Sequence, residues 1–355
     1  MRKLVIERSA VKHNLSVIKE RSAGAVIYGV LTGDGGGAGL VPMARLLREE
    51  GIGRFAVYEV QEAKKLREAG FEDEEILMLR STTDREELEQ LLDLNVVCTI
   101  SSVDTGLALN ALAENRATVA CAHIQVDTGM GFGGFLVSDP EKILLAYRSL
   151  PNVALEGIYT QLHAAKVGDK ESARQLEQFH QVLDTIREKK FETGIVHAAG
   201  SFALLHNDSA RLDGVRAGSA ILGRCRRTRD DRLKTVGYGE VPLAEVRWLP
   251  KGHPVGADKP VILKKPTRVA VLPVGYQNGF GVVRPRETGL WALLARWRQS
   301  RKRTVRVGGQ KVRVIGPIGA TETLLNVTNI KCSAGDLAVF DVDPMFARGF
   351  TREFR

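Results

Sequence analysis

Short apolar segments alternate with amphipathic segments along the first two thirds of the chain. The first apolar segments are 26–31, 55–57 and 76–79, and each is followed by a stretch with helical periodicity. The pattern continues through apolar segments at 96–100, 119–126, 155–159, 195–197 and 214–216. Buried strands that alternate with helices predict a parallel sheet. Eight such units over about 215 residues predict a TIM (β/α)8 barrel rather than a doubly wound sheet.

The pattern changes near Cys225. The stretch 224–234 is polar and basic, which indicates a linker, and the later segments are β-rich with glycine and proline turns between them. This composition is typical of a small antiparallel β domain. The sequence therefore predicts a TIM-barrel domain at 8–225 and a C-terminal β domain at 226–355, with a basic helical insert at about 289–302. Residues 1–7 are predicted to form a strand of the β domain.

The composition is that of a soluble globular protein, with 44% hydrophobic and 26% charged residues. The four cysteines have no CxxC spacing, which favours a reducing compartment and predicts no metal site. The first residues contain no apolar signal segment, and no apolar run is long enough to span a membrane. We therefore expect a cytoplasmic protein.

Much of the net charge of +9 is clustered, because ten Lys and Arg residues lie between 284 and 313 against one acid, Glu287. Within this segment Leu290, Leu293, Leu294 and Trp297 follow helical spacing. One interpretation is a surface helix that packs on the β domain, and the other is a docking helix for a partner or an anionic surface. No nucleic-acid-binding module is recognisable, so neither nucleic acid nor a membrane is the predicted partner.

The most unusual stretch is 26–39, where a predicted strand runs into a loop with six glycines. Glycine tolerates positive φ and allows backbone N–H groups to come close to a ligand. Asp34 in this loop is either a turn residue or a ligand contact. Near the last barrel strands, Ser201 and Ser219 with Gly218 have the composition of a phosphate-binding nest.

Five motifs occur along the chain in a fixed order. They are HIQVDTGMG from His123, GIYT from Gly157, HAAGS from His197, VRAG from Val215 and VGY from Val274. In this order, they make the chain resemble the alanine racemase family over nearly its whole length. The resemblance implies a pyridoxal-phosphate (PLP) enzyme that interconverts L- and D-alanine. It also implies a homodimer, because one base is a lysine and the other is a tyrosine from the partner subunit.

The resemblance breaks at both bases. The position of the family's lysine holds Thr32, and that of the catalytic tyrosine holds Ala257. Threonine cannot form a Schiff base, and its hydroxyl is a poor base near neutral pH. Other positions of the family's site also differ here: Gly36, Gln125, Phe132, Gln161, Ala320, Thr321 and Phe346. The resemblance therefore implies a divergent member without the catalytic lysine and tyrosine.

Part of the cofactor site matches. Ser201, Gly218 and Ser219 match phosphate-binding positions, Arg216 matches the arginine that faces the pyridine nitrogen, and His197 matches the histidine that orients this arginine. We therefore expect no covalently bound cofactor, while PLP or another phosphorylated ligand could bind weakly. His163 and Asp34 are the remaining candidates for a catalytic base. A different lysine, Lys64, Lys65 or Lys166, is the alternative source of a Schiff base.

These observations favour a pseudoenzyme without appreciable alanine racemisation, acting as a ligand-binding or partner subunit. It would form a homodimer or a heterodimer with an active racemase paralogue. Three alternatives stay open: an enzyme with PLP-independent chemistry in a vacated, wider pocket, a divergent PLP-dependent amino-acid racemase, and an interaction scaffold that works through 284–313. Whether the chain is an enzyme, and which ligand it binds, are not decided by the sequence.

Overall fold

The computed structural model describes residues 1–163, 169–225, 232–256, 260–282 and 304–355. They form two compact units, one of Ser9–Thr235 and one of Met1–Arg8 together with Val236–Arg355. The domain limits 8–225 and 226–355 stay a prediction. The predicted basic helix at 289–302 and Ala257 lie outside the described residues.

The first part of the chain alternates strands and helices as the sequence predicts. Its elements are β1 (Lys3–Ile6), α1 (Arg8–Ser22), β2 (Val26–Val30), α2 (Thr32–Gly36), α3 (Leu40–Glu49), β3 (Arg54–Val57), α4 (Val60–Glu68), β4 (Glu75–Met78), α5 (Arg85–Asp93), β5 (Cys98–Ile100), α6 (Val103–Asn115), β6 (Ala120–Asp127), β7 (Phe135–Leu136), α7 (Pro140–Ser149), β8 (Val153–Thr160), α8 (Lys170–Glu188), β9 (Ile195–Gly200), α9 (Ser201–His206) and β10 (Gly214–Ala217). A 3-10 turn at Asp208–Ala210 follows α9.

Eight of these strands form one parallel sheet in the order β4-β3-β2-β10-β9-β8-β6-β5. The two ends of this order meet at a parallel bridge between Leu77 and Val97. There the N–H of Met78 donates to the Val97 carbonyl at 2.9 Å, and the N–H of Val97 donates to the Ile76 carbonyl at 2.8 Å. The sheet is thus a nearly closed barrel, and the predicted TIM-like fold is confirmed.

Alternate residues of the strands fill the barrel interior, as strand geometry requires. Tyr28, Ala56, Leu77 and Val97 form one buried cluster. At the amino ends of the strands, Arg54 Nε donates to Glu75 Oε2 at 2.7 Å, and the Tyr28 hydroxyl donates to Glu75 Oε1 at 2.9 Å. This end of a barrel generally serves stability, whereas the carboxyl ends of the strands carry the chemistry.

The second unit is a mostly antiparallel β domain. Its strands, besides β1, are β11 (Tyr238–Pro242), β12 (Glu245–Leu249), β13 (Pro254–Val255), β14 (Val261–Ile262), β15 (Thr267–Leu272), β16 (Val305–Val307), β17 (Gln310–Ile315), β18 (Thr323–Asn326), β19 (Leu337–Asp341) and β20 (Thr351–Phe354). Nine strands form a sheet in the order β12-β15-β18-β17-β16-β19-β11-β1-β20, and β13 pairs with β14. Two 3-10 turns lie at Tyr276–Asn278 and Pro344–Phe346.

Two features of this sheet differ from the sequence prediction. One of the β-rich segments, 241–249, by its apolar pattern predicts a single strand, but it is divided between β11 and β12, because the first part pairs with β19 and the second with β15. The last strand, β20, was not predicted, and it pairs in parallel with β1. In the part of the chain that the structure describes, no helix combines the length and the apolar character that crossing a bilayer requires.

A bulge in β8 admits a histidine ring into the barrel. The pairing of β6 with β8 shifts between Ala122, which faces Leu155, and His123, which faces Gly157. A Cβ on Gly157 would lie 2.6–2.8 Å from three atoms of the His123 ring. Only glycine therefore leaves room for the imidazole at this point.

We predict that Gly157→Ala destabilises the chain by about 1–3 kcal/mol, because a methyl group would overpack a rigid barrel interior. Urea unfolding of the variant and the parent measures this loss. In the double variant Gly157→Ala/His123→Ala the two effects should not add, because the second change removes the ring that the methyl group meets. Additive losses would contradict the contact.

Candidate functional site

The predicted site residues lie at the carboxyl ends of the barrel strands or just beyond them. Arg216 is on β10, His197 is on β9, Ser201 begins α9, and Thr32 begins α2 directly after β2. In barrels of this kind the loops at this end form the active site. The strand order places β2, β10 and β9 side by side.

Arg216 is the most densely bonded side chain of the site and is only 4% exposed. Its Nη1 donates to His197 Nδ1 at 2.5 Å and to the His197 carbonyl at 3.1 Å. Its Nη2 donates to the Thr160 carbonyl at 2.6 Å, to Gln161 Oε1 at 2.9 Å and to the Ala198 carbonyl at 3.4 Å. All five acceptors are electrically neutral. Nε forms no hydrogen bond with a described residue.

This guanidinium is therefore a buried cation without a carboxylate partner among the described residues. Burial lowers the pKa of Arg216 to about 10, so the group still carries its charge at neutral pH. The Tyr159 ring lies 5.0 Å from the guanidinium carbon and adds a cation–π contact. A charge with only neutral partners favours a ligand that brings an electron-rich or anionic group.

The partner of Arg216 is a pair of buried histidines. Because Arg216 can only donate, His197 Nδ1 is an acceptor, and the ring proton of His197 is on Nε2. This Nε2 then donates to His123 Nδ1 at 2.9 Å. Burial and the nearby Arg216 charge lower the pKa of His123 to about 3, and burial lowers that of His197 as well.

Both histidines are consequently neutral at pH 7, which supports an orienting role for His197 rather than proton transfer. His163 is a predicted candidate for a catalytic base. No hydrogen bond joins His163 to His197 among the described contacts. His123 was not a predicted site residue, although the HIQVDTGMG motif begins with it.

The predicted phosphate nest lies in the turn after β10. The hydroxyl oxygen of Ser201 accepts hydrogen bonds from the N–H groups of Gly218 at 2.9 Å and Ala220 at 3.2 Å. The Ser219 hydroxyl donates to Cys225 Sγ at 3.6 Å, and the Ser219 N–H forms no hydrogen bond with a described residue. Residues 218–223 form turns rather than a helix, so their N–H groups are not all used in helical hydrogen bonds. Sequence reasoning missed Ala220, whose only signal was its position two residues after Gly218.

The glycine loop is a left-handed turn. Gly33, Asp34 and Gly35 have φ values of 67°, 58° and 65°, a conformation that glycine and a few polar residues adopt most easily. Asp34 Oδ1 accepts from the N–H of Leu40 at the start of α3, at 2.9 Å, and its own N–H donates to Glu62 Oε1 at 3.1 Å. These contacts favour the turn interpretation of Asp34 over a ligand contact.

The expected wider pocket is absent beside Gly36. A Cβ at this position would lie 2.8 Å from Leu222 Cδ1, and Leu222 is 6% exposed. Leu222 therefore occupies the space that a side chain at residue 36 would need. The contact concerns Gly36 alone, and Ala257, another part of the expected wider pocket, lies outside the described residues, so the wider pocket stays a prediction.

No described lysine lies on a strand of the barrel. Lys64 and Lys65 are on α4, and Lys166 lies outside the described residues. Phe132, at the position of a family arginine, is 82% exposed. Gln161, at the position of a family histidine, still accepts a hydrogen bond from Arg216. The catalytic roles of Thr32, His163 and Asp34 stay predictions.

The fold and site define a class of protein: a parallel barrel followed by a β domain, with a buried arginine on the last barrel strand and a serine hydroxyl bonded to the turn that follows this strand. Two sequence families match this chain: "Alanine racemase, N-terminal domain" over residues 6–225 and "Alanine racemase, C-terminal domain" over residues 238–343. The chain belongs to the alanine racemase family.

Individual relatives agree. The alanine racemase of Carboxydothermus hydrogenoformans is 32% identical over 76% of this chain and 74% of its own length. That of Desulforamulus reducens is 30% identical over 92% of this chain and 85% of its own length. The structure of the alanine racemase of Streptomyces lavendulae has a TM-score of 0.86 at 22% identity and covers 100% of this chain and 97% of its own. That of Bartonella henselae, with covalently bound pyridoxal phosphate, has a TM-score of 0.81 at 20% identity and covers 100% and 99%.

These relatives correct the interpretation of the chain as a pseudoenzyme. Both sequence relatives carry the name alanine racemase, and the described residues show no positive sign of a pseudoenzyme. The interpretation was wrong because it gave the replaced side chains, above all Thr32, more weight than the matching residues of the cofactor site. A buried arginine with neutral partners costs folding free energy, and such groups are typical of functional sites. The scaffold alternative relied on 284–313, most of which lies outside the described residues.

The histidine pair predicts a loss of stability in acid. A histidine whose pKa is lower in the folded chain takes up its proton first in the unfolded chain, so stability is full above pH 6.5 and falls from pH 6.5 towards 3. For His123 alone we expect a loss of about 2 kcal/mol between about pH 7 and pH 4.5. Urea unfolding at a series of pH values measures it.

Two variants isolate this effect from that of other acid-sensitive groups. His123→Asn should reduce the acid-dependent loss by about half, because only one buried histidine then remains. His180→Asn, which changes an exposed histidine on α8 in the same way, should leave the loss as it is. Equal pH profiles for the parent and His123→Asn would show that the buried pair does not govern the acid response.

Proposed function

We propose that this chain is an amino-acid racemase that acts on alanine or another small amino acid and holds PLP without a covalent link to residue 32. The observation that carries the proposal is the pair of backbone and side-chain donors at the barrel mouth that have no partner among the described residues, Ser219 N–H and Arg216 Nε. Membership of the alanine racemase family supports the reaction class, and the names of the relatives support alanine as the substrate.

The residues after β9 and β10 fit a phosphate group. The N–H groups of Gly218 and Ala220 already donate to Ser201 Oγ, so the donors that this turn offers to a phosphate are the Ser219 N–H and the Ser201 hydroxyl, whose own proton is free to donate. Backbone N–H groups of successive residues in a tight turn form an anion-binding concavity. A phosphate ester is therefore the group that Ser201, Gly218 and Ser219 would hold.

Arg216 fits the nitrogen of a pyridine ring. Four of its hydrogen bonds to His197, Thr160 and Gln161 fix the two Nη atoms, so that Nε–H remains as the donor for a ligand acceptor. A neutral ring nitrogen accepts such a bond without introducing a second charge. His197 and Gln161 would thus orient Arg216, and Arg216 would orient the ring.

Bound PLP supplies an electron sink that makes the α-proton of an amino acid easier to remove. The chain's own residues supply orientation and electrostatics. Arg216 provides a fixed positive charge at the ring, and the neutral histidine pair keeps this charge in place around neutral pH. The barrel core behind Arg216, with Tyr159 and His197 both nearly fully buried, excludes water from that side.

The covalent part of the cofactor site does not fit. Thr32 has no amine, and the described lysines of the barrel unit lie on helices or loops instead of strands. A covalent link such as the one in the Bartonella henselae enzyme is therefore not proposed for residue 32 of this chain. A dissociable PLP is the form that the described side chains support. The homodimer, the heterodimer with a paralogue and the cytoplasmic location stay predictions.

A mixture of the purified chain, PLP and L-alanine tests the proposal. We expect PLP to bind reversibly and to leave on dialysis, and D-alanine to form only while PLP is present. A chiral assay for D-alanine at a series of PLP concentrations measures the activity, and PLP with the heat-denatured chain gives the uncatalysed background.

Each part of the proposal can fail separately. If the chain does not bind PLP, the cofactor assignment is wrong. If it binds PLP but forms D-alanine no faster than the background, the racemase assignment is wrong. Stoichiometric attachment of PLP to one lysine after borohydride treatment would disprove the reversible binding.

Thr32→Lys should convert reversible binding into covalent attachment. Thr32 follows β2 at its carboxyl end, and β2 pairs with β10, the strand that precedes Gly218, so an amine at position 32 is expected at the same end of the barrel as the phosphate site. We expect the variant to retain PLP through dialysis, to absorb visible light, and to bind PLP at least about tenfold more tightly. Thr32→Ser is the matched control and should behave like the parent. A colourless Thr32→Lys protein after incubation with PLP would contradict this placement of residue 32.

A further inference from the structure

Gln175 on α8 is fully buried, and both the oxygen and the nitrogen of its side-chain amide form hydrogen bonds. Its Oε1 accepts a hydrogen bond from the main-chain N–H of His163 at 2.9 Å. Its Nε2 donates to Thr128 Oγ1 at 3.3 Å and to the carbonyl of Gln161 at 3.5 Å. A single side chain therefore connects α8 to the segment after β6 and to the segment after β8.

The groups that Gln175 contacts adjoin two of the acceptors of Arg216. The Thr128 hydroxyl is 2.8 Å from the Thr160 hydroxyl, and both threonines are buried. The carbonyl of Thr160 and the side chain of Gln161 are two acceptors of Arg216 Nη2. Gln175 is thus linked to Arg216 Nη2 through one intervening residue, because it bonds the main chain of Gln161, whose side chain accepts from Nη2.

The packing of α8 does not by itself require an amide at this position. Leu176, Phe179, Val182 and Leu183 already form its buried apolar face. A buried amide lowers stability unless all its donors and acceptors are paired, so an apolar residue would serve packing alone at least as well. Its hydrogen bonds therefore point to a positioning role.

We propose that Gln175 is a positioning residue that fixes Arg216 relative to the ring of the bound ligand. It clamps the main chain at 161–163, and this keeps the Gln161 side chain and the Thr160 carbonyl in place as acceptors. The proposal rests on the proposed function for the identity of the ligand, which is PLP.

The effect should be confined to one end of the ligand. Ser201, Gly218 and Ala220 form the phosphate nest through contacts among themselves, and none of these contacts involves Gln175. Loss of the amide should therefore weaken the hold on the ring and leave the hold on a phosphate unchanged. A general structural defect would affect both ends.

Gln175→Leu tests this split, with PLP and inorganic phosphate as the two probes. We expect the dissociation constant of PLP to rise about tenfold, because the ring loses about one well-oriented hydrogen bond. That of inorganic phosphate should stay within about twofold. Gln181→Leu makes the same change at an exposed position of α8 and should alter neither constant. If PLP affinity is unchanged, or if both ligands weaken equally, the positioning role is wrong.

Two further measurements cover a variant that does not fold and a parent that does not bind PLP. Thr128→Val removes one contact of Gln175 with little change in volume, and it should weaken PLP binding a few-fold while phosphate binding stays the same. If the parent does not bind PLP, the proposed function fails, and hydrogen exchange by NMR then decides the present proposal alone. Exchange of the His163 amide and the Arg216 side-chain N–H groups should be faster in Gln175→Leu than in Gln181→Leu. Equal exchange rates would overturn the positioning role.

Discussion

The buried guanidinium of Arg216 is the constraint on which the barrel interior depends. An arginine cannot lose its charge at neutral pH, so every group around it must accept a hydrogen bond and none can be a second cation. The chain meets this requirement with carbonyls from β8 and β9, the Gln161 amide and the unprotonated Nδ1 of His197. The tautomer of His197 then determines the role of His123, and the ring of His123 requires a glycine at position 157. The charge of Arg216 thus constrains residues on four strands, β10, β9, β8 and β6.

The barrel and the end of it that carries the site could be predicted from the sequence. Eight apolar segments at regular spacing leave few alternatives to a barrel, and parallel strands place the residues that follow them at one end. Ser201, Arg216 and Gly218 could be grouped in this way before their contacts were known. The predicted strands failed mainly at β12 and β20, which are the two edges of the second sheet, where pairing with only one neighbour gives a weak sequence signal.

The properties that decide the chemistry could not be predicted, because they depend on pairs of residues far apart in the chain. Gly36 alone suggests an empty space, but the space is filled by Leu222, which is 186 positions later in the sequence. For Asp34 the sequence leaves a turn residue and a ligand contact open; in the structure its carboxylate accepts from the N–H of Leu40, the first residue of α3, and its own N–H donates to Glu62. In both cases the sequence alone does not show the distant residue that contacts the position.

A threonine at residue 32 removes the amine that a covalent link to PLP would need. It does not remove the hydrogen-bond donors that could hold PLP without such a link. Hydrogen bonds to a charged group contribute about 1.5–3 kcal/mol each. In the proposed function, the Ser219 N–H and the Ser201 hydroxyl at the phosphate and Nε of Arg216 at the ring would together supply about 4.5–9 kcal/mol before the entropy loss of binding, which is of similar size. The net affinity then depends on how well the donors are fixed before the ligand arrives. In this chain the phosphate end is fixed by a tight turn, whereas the ring end is fixed by hydrogen bonds from α8 through Gln161 to Arg216. If PLP binds as proposed, without a covalent tether, the rigidity of that second path would set the lifetime of the bound cofactor.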